Sequence, residues 1–445
     1  MALSWRAALL VALGVVPVIV WPSTALAWGW ILLALLVCVM DMALAVPASR
    51  LELLREVEST LRADETTPSR ITLHNPTNRG LHVVVRDAWQ PSMRPSPARH
   101  DIRLPAGTTT TVETILAPER RGTRSADYVT LRVWGPLGLA ARQSSVTAPL
   151  TVSVLPEFRA RKLLPSRLAR LHELEGTTAT VLRGPGTEFD SLREYVRGDD
   201  PRDIDWRASA RSKELVVRTW RPERDRHVVL VLDTGRSGAM LLGAPRGVGK
   251  DADVLDLGVA PRLDAGIEAA FLLGALADRA GDQVHMIAMD RQVRARVSGV
   301  RGAGFMRNAA HDLVDVAPSL EPVDWAAVVA EVNRTVRHTS LVVLFTEVPP
   351  VGSDPDLLDA ISQLGSRHRV IVASAQDPDL ARLAAARADA AQVHTAASAM
   401  SSLAEEELGG TDLSRAGAHV ISVDAGLLAA RTSDTYIAFK KAGLL

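Results

Sequence analysis

The chain has one cysteine in 445 residues, Cys38. No internal disulfide and no paired-thiol site can be built from it, and its place in an apolar run suits a small packed hydrophobe. A charge excess of either sign is also missing, since 51 Lys plus Arg face 51 Asp plus Glu. No global field therefore steers the protein toward nucleic acid or an anionic surface. The eleven histidines are scattered; without an HExxH pair or another tight cluster, a zinc hydrolase has little support. Internal repeats and low-complexity tracts are absent, and the Ala-rich ARLAAARADAAQ reads as ordinary helix. The length exceeds the roughly 250 to 300 residues at which single cores stop growing, so two or three domains are expected.

Long apolar runs are present, and they crowd the N-terminus. WRAALLVALGVVPVIVWPSTALAWGWILLALLVCVMDMALA is two such runs broken by Pro-Ser-Thr, each about the length needed to cross a bilayer. Trp5, Trp21, Trp28 and Trp30 sit at the run ends, where an amphipathic ring lies at the headgroup level. Arg6 precedes the pair, Arg50 and Arg55 follow it, and the connecting turn is uncharged. Residues 1–48 are therefore expected to form two transmembrane helices, giving a multi-pass protein with its soluble domains in the cytoplasm. The alternative is a cleaved signal peptide, for which Ala25-Leu26-Ala27 offers the pattern, although a second apolar run follows directly. Asp41, near the end of the second run, is expected in the membrane interface.

From 49 to 155, short β-type runs such as RITLHN, GLHVVVRDAW, TTTVETIL, DYVTLRVW and LTVSVLP alternate with Pro- and Gly-rich turns. That grammar predicts an all-β sandwich of Ig-like type. Residues 156–226 are a connecting segment, with a helix over PSRLARLHELEG. From 227 to 445, buried runs such as HVVLVLD, QVHMIAMD, LVVLFTE and RVIVASA alternate with helical stretches. This predicts a doubly wound α/β domain, with its ligand site at the C-terminal ends of the strands.

That rule singles out Asp233-Thr234-Gly235-Arg236-Ser237 after one strand and Thr346-Glu347 after another. Asp233, Ser237 and Thr346 are hard oxygen donors, suited to Mg²⁺ with water on the remaining positions. The spacing resembles the metal-ion-dependent adhesion site of von Willebrand factor A domains. That pattern wants Asp-x-Ser-x-Ser and Thr-Asp, whereas Gly235 and Glu347 stand here; the competing reading is a turn capped by Asp233 with no metal. A nucleophile elbow at Ser237 lacks its last glycine, because Ala239 stands there. GAPRGVGKD fails as a phosphate loop, with Ala244 and Asp251 at the wrong positions, so ATP is not expected as a ligand.

LREYVRGDDPRDIDWRASAR holds four aspartates, Asp199, Asp200, Asp203 and Asp205. Asp200 followed by Pro201 reads as a helix start, with Asp203 in the first turn where its charge favours the dipole. Ile204, Ala208 and Arg211 then share one helix face, and Asp205 and Ser209 another. Trp206 and the arginines are expected to clamp this helix against a neighbouring element. Catalysis by the four carboxylates, as a metal-dependent hydrolase, is the competing reading.

The stretch GTEFDSLREYVRGDDPRDIDWRASARSKELVVRTWRPERDRHVVLVLDTGRSGAM resembles the signature of the bacterial domain-of-unknown-function 58 family. The matching positions are Asp199, Asp200, Arg202, Ile204, Trp206, Ser209 and Arg211. The resemblance implies a membrane-anchored protein with a von Willebrand A-like domain, a MoxR-type AAA+ ATPase as partner, and a role in assembling or maturing a client protein. It implies no enzyme activity and no catalytic residue. The expected function is that of a non-enzymatic adaptor. A metal-dependent hydrolase and a purely structural envelope protein are the alternatives.

Overall fold

The computed structural model describes residues 2–63, 65–178, 188–196, 200, 203–212, 214–221, 226–245, 247–299 and 302–445. The chain divides into two compact units, Met1–Glu157 and Phe158–Leu445.

The first unit opens with β1 (Ala2–Leu3), α1 (Trp5–Leu13), α2 (Val15–Val20) and α3 (Thr24–Leu44). Among the described residues, α3 with its extension to Arg50 is the one helix long and apolar enough to cross a membrane. The first apolar run falls short. Pro17 has no N–H to continue bonding toward residue 13, α1 ends there, and the stretch Trp5–Val20 reaches only about 24 Å against a hydrocarbon core of about 30 Å. The expectation of two membrane-length helices is corrected to one on length. α1 lies antiparallel to α3, with the Trp30 indole donating to the Leu10 carbonyl at 3.0 Å and Ala7 buried with Cys38.

The strands that follow are β2 (Glu52–Glu56), β3 (Thr60–Arg62), β4 (Thr67–His74), β5 (Leu81–Asp87), β6 (His100–Leu104), β7 (Thr109–Leu116), β8 (Gly122–Trp134) and β9 (Ala140–Leu155). One sheet runs β1-β9-β8-β5-β6 with β3 added on β9; the other is β2-β4-β7. Alternate residues of β4, β5 and β8 point inward, so Ile71, Leu73, Val83, Val85, Val129, Leu131 and Val133 fill the space between the sheets. Inside the sandwich the Arg55 guanidinium pairs with Asp87, whose carboxylate also accepts from Ser69 Oγ at 2.6 Å and Trp89 Nε1 at 2.9 Å.

The second unit begins with α4 (Leu164–Thr178), β10 (Glu188–Glu194), α5 (Trp206–Ser212) and β11 (Val216–Arg221). Then come β12 (His227–Asp233), the short pair β13 (Leu241–Leu242) and β14 (Ala260–Pro261), α6 (Arg262–Arg279), β15 (Gln283–Met289), β16 (Val293–Val297), α7 (Ala303–Asp312) and α8 (Trp325–Thr335). β17 (Leu341–Phe345), α9 (Pro355–Gly365), β18 (Arg369–Gln376), α10 (Pro378–Ala385), α11 (Ala390–Arg415), β19 (Ala418–Asp424) and α12 (Leu428–Lys441) complete it. The main sheet has the order β16-β15-β12-β17-β18-β19 and is parallel except for β16 at one edge. Its inner strands β15, β12, β17 and β18 are buried nearly throughout because helices cover both faces. Val229 and Val231 of β12 face α8 and α9, while Leu230 and Leu232 lie on the side of the buried helix α6.

The strand order reverses at β12: the chain first adds β15 and β16 on one side, then β17, β18 and β19 on the other. The crevice beyond the C-terminal ends of β12 and β17 is therefore the switch point, where α/β sheets bind ligands.

Candidate functional site

β12 delivers Asp233 to that switch point and β17 delivers Thr346, from positions 113 residues apart. Both are buried. Thr346 Oγ1 donates to Asp233 Oδ2 at 2.6 Å, Ser237 Oγ donates to the same oxygen, and the two hydroxyls are 3.5 Å apart. Asp233 Oδ1 accepts the Gly235 N–H at 2.7 Å, closing the turn after the strand. The structure thus brings Asp233, Ser237 and Thr346 together. Burial pushes the Asp233 carboxyl above its ordinary range, the Ser237, Thr346 and Gly235 donors pull it back, and the Glu347 charge raises it further.

Gly235 stands where the adhesion-site pattern has serine, and the backbone shows why. A Cβ there would lie 2.8 Å from the Glu321 carbonyl oxygen and 3.0 Å from Val323 Cγ2. The 319–324 loop crosses directly over this turn, held by Ser319 N–H to Thr234 O at 2.7 Å and Arg236 N–H to Glu321 O at 2.9 Å. Glu347 is engaged elsewhere: it accepts from Arg262 Nη1 at 2.7 Å, and the same nitrogen donates to the Ser237 carbonyl at 3.1 Å.

Among the described residues no group of three or more His, Cys, Asp or Glu side chains is placed to hold a metal ion. What meets directly at the switch point, among the described residues, is the Asp233 carboxylate and two hydroxyls, with Glu347 turned to Arg262. The donor chemistry nevertheless fits a hard cation, since Asp233 is a buried acid whose partners are hydroxyls and an amide. Asp233, Ser237 and Thr346 would hold Mg²⁺, with water completing the shell.

Two neighbours escaped the sequence reading. Arg262, at the start of α6, links the two strand-end turns through Ser237 and Glu347. Asp290, directly after β15, is fully buried and bonded to Arg294 Nε at 2.9 Å and Ser319 Oγ at 2.9 Å, which anchors the crossing loop. Burial opposes its charge, but Arg294, the Gln292 N–H and Ser319 together hold its carboxyl below the usual range. The signal for Asp290 was in QVHMIAMD, a buried strand ending in Asp just as HVVLVLD does.

The signature segment folds differently from its expectation. The helix begins at Trp206 and is capped by Asp205, whose Oδ1 accepts the N–H groups of Arg207 and Ala208 at 3.0 Å each. Asp205 Oδ2 accepts from Arg218 Nε at 2.9 Å, and these contacts lower its pKa, the Ala208 N–H contributing most and Arg218 next. A start at Asp200 is excluded because the chain is still extended at 204–205, with Ile204 bridged to Val217 and Asp205 N–H bonded to Val216 O at 2.9 Å. Asp200 instead offers its carbonyl to the Asp203 N–H at 3.0 Å. Ser209 Oγ accepts the Val216 N–H at 2.9 Å, tying α5 to β11. Trp206 is 68% exposed and Arg211 is exposed as well, so neither is buried as the expected clamp among the described residues. Asp199, Pro201 and Arg202 lie outside the described residues.

Residues 191–392 match the family described as "Protein of unknown function DUF58". The DUF58 match thus spans α5, the switch-point strands and α9. Uncharacterized proteins of Mycobacterium bovis and Mycobacterium tuberculosis are 23% identical over 210 residues, which is 46% of this chain. The chain spans about 60% of the length of these relatives. Among solved structures, the CARDB domain of a Pyrococcus furiosus protein, crystallised with di-metal ions, is 12% identical over 24% of this chain and 87% of that one, with a TM-score of 0.18. A protein of unknown function from Porphyromonas gingivalis W83 is 14% identical over 33% of this chain and 57% of that one, with a TM-score of 0.19. At such scores neither likeness carries an argument about fold or function.

Proposed function

We propose that the protein is a membrane-tethered, non-enzymatic adaptor whose second unit is a von Willebrand A-like domain that binds a protein partner at the β12–β17 switch point. The observation that carries this reading is the convergence of Asp233, Ser237 and Thr346 on one another at that point. The sheet order, with one antiparallel edge strand, supports the same assignment. Mg²⁺ held there would supply a Lewis-acidic position open to a carboxylate of the partner. The chain's own residues do the rest: the Ser237 and Thr346 hydroxyls orient the Asp233 charge, and the Arg262–Glu347 pair borders it.

The proposed partner is a MoxR-type AAA+ ATPase, acting with the adaptor on a client protein; the support is the DUF58 match together with the signature residues. The proposed setting is the cell membrane, with α3 as the span and both soluble parts in the cytoplasm.

Affinity capture from native membranes, with and without Mg²⁺, tests the reading. An AAA+ ATPase should be retained in Mg²⁺ and lost from Asp233→Ala. Failure to recover an ATPase in either condition removes the partner, and retention by Asp233→Ala removes the site. The hydrolase alternative rests on the Asp199, Asp200, Asp203 and Asp205 carboxylates, but Asp205 has both oxygens committed to α5 and Arg218.

A further inference from the structure

The membrane helix and the sandwich belong to one unit, and an acidic side chain of the helix bonds directly to the sandwich. α3 has 21 residues, which at 1.5 Å per residue makes about 31 Å, close to the thickness of a hydrocarbon core. Asp41 lies within the last turn of that helix and is fully buried. Its Oδ1 accepts the Leu137 N–H at 2.8 Å, and its Oδ2 accepts the N–H groups of Leu139 at 2.8 Å and Ala140 at 3.0 Å. Three backbone donors therefore satisfy a carboxylate that would be costly in lipid.

The donors belong to the turn between β8 and β9, which is tied down a second time. Ser4 donates its N–H to Leu139 O at 2.9 Å and its hydroxyl to Gly138 O at 2.7 Å, and β1 pairs with β9. The approach is close enough that a Cβ on Gly135 would fall 2.3 Å from atoms of Asp41. The tip of the turn is left facing outward: Pro136 is exposed and Leu137 is 49% exposed, with the Arg6 guanidinium 3.4 Å from the Leu137 carbonyl.

We propose that this tip is a lipid-contacting element, with Leu137 seated at the boundary of headgroups and acyl chains and Arg6 at the level of the lipid phosphates. If α3 spans, Asp41 lies about one helical turn inside the end of the span, and a turn bonded directly to it cannot stand clear of the bilayer. An exposed leucine beside an arginine at that depth matches an interface of apolar chains below anionic phosphates. The occupant of this surface is the phospholipid around α3, continuous with the lipid that contacts the helix itself. The sandwich is then fixed to the membrane surface and does not hang from a flexible linker.

The inference rests on the proposal that α3 crosses the membrane, and the test separates the two. The full chain, with Cys38→Ala to remove the native thiol, is reconstituted into phosphatidylcholine–phosphatidylglycerol vesicles. Single cysteines replace Leu137, the outward-facing Val39 of α3, or Arg120 at the far end of β8, and each carries an environment-sensitive fluorophore. Quenchers attached to the lipid chains should quench the Val39 and Leu137 labels several-fold more than the Arg120 label. A quenched Val39 with Leu137 no different from Arg120 would overturn the lipid-contacting tip and leave the span intact. An unquenched Val39 would overturn the span itself, and the tip with it.

Discussion

Restoring the missing serine of the adhesion-site pattern should harm the protein instead of completing a metal site. In Gly235→Ser the new Cβ sits 2.8 Å from the Glu321 carbonyl oxygen, 3.0 Å from Val323 Cγ2 and 3.1 Å from Asp233 Oδ1. The first of these is a backbone atom, so it cannot swing aside as a flexible side chain would. Nor can the loop retreat freely, because Ser319 and Arg236 bond it to the turn on either side of the contact. Overpacking of this kind costs about 1–3 kcal/mol, a loss of several degrees in melting temperature for a domain of this size. Gly235→Ala carries the same steric burden without the hydroxyl and should match it. Thermal and urea unfolding of the detergent-solubilised protein, followed by Mg²⁺ titration calorimetry, measures both quantities. A Gly235→Ser protein as stable as the parent, or one binding Mg²⁺ more tightly than Gly235→Ala, would refute the steric argument.

Two further predictions concern pH. Because burial raises the Asp233 pKa, the folded state keeps a proton that the unfolded chain releases above pH about 4, so stability falls as pH rises toward the folded value and stays lowered above it. Asp233→Asn should remove that decline in urea-unfolding series across pH, and be more stable than the parent at neutral pH while losing partner capture. His285 titrates the other way: burial, with His227 beside it, pulls its pKa from 6.5 down to about 4. The unfolded chain then binds a proton that the folded protein refuses, so stability drops on acidification from about pH 6.5 to about 4, by on the order of 3 kcal/mol. His285→Gln should flatten that stretch of the curve; an unchanged slope would show that other groups dominate acid unfolding.

Much of the architecture was legible from local pattern. The alternation in GLHVVVRDAW marks a strand with one face inward, and the unbroken apolar runs inside HVVLVLD and LVVLFTE mark strands covered on both faces. The strand-end rule pointed to Asp233 and Thr346, and the structure does bring these two side chains together, because the C-terminal ends of parallel strands all emerge on one side. The helix start in the signature was misplaced. Asp200-Pro201 and Asp205 are both acceptable starts locally, and the choice was made by the bridge of Ile204 to Val217, which the segment alone does not contain. The first apolar run was over-read for a similar reason, since composition counts residues while Pro17 divides the helix.

By itself the sequence determined the apolar N-terminal run, the β-rich stretch, the doubly wound class of the second unit and the chemical character of its strand ends. These follow from periods of two and 3.6 residues and from run length, which depend only on near neighbours along the chain. Only the tertiary structure decided what meets what. It set Thr346 against Asp233 across 113 positions, laid the Glu321 carbonyl over Gly235, and closed the turn at Leu137 on Asp41 across 96. Such meetings depend on sheet order and loop closure, which a single chain's local pattern does not encode. They also leave no room for a side chain at Gly235, a position occupied from above by backbone.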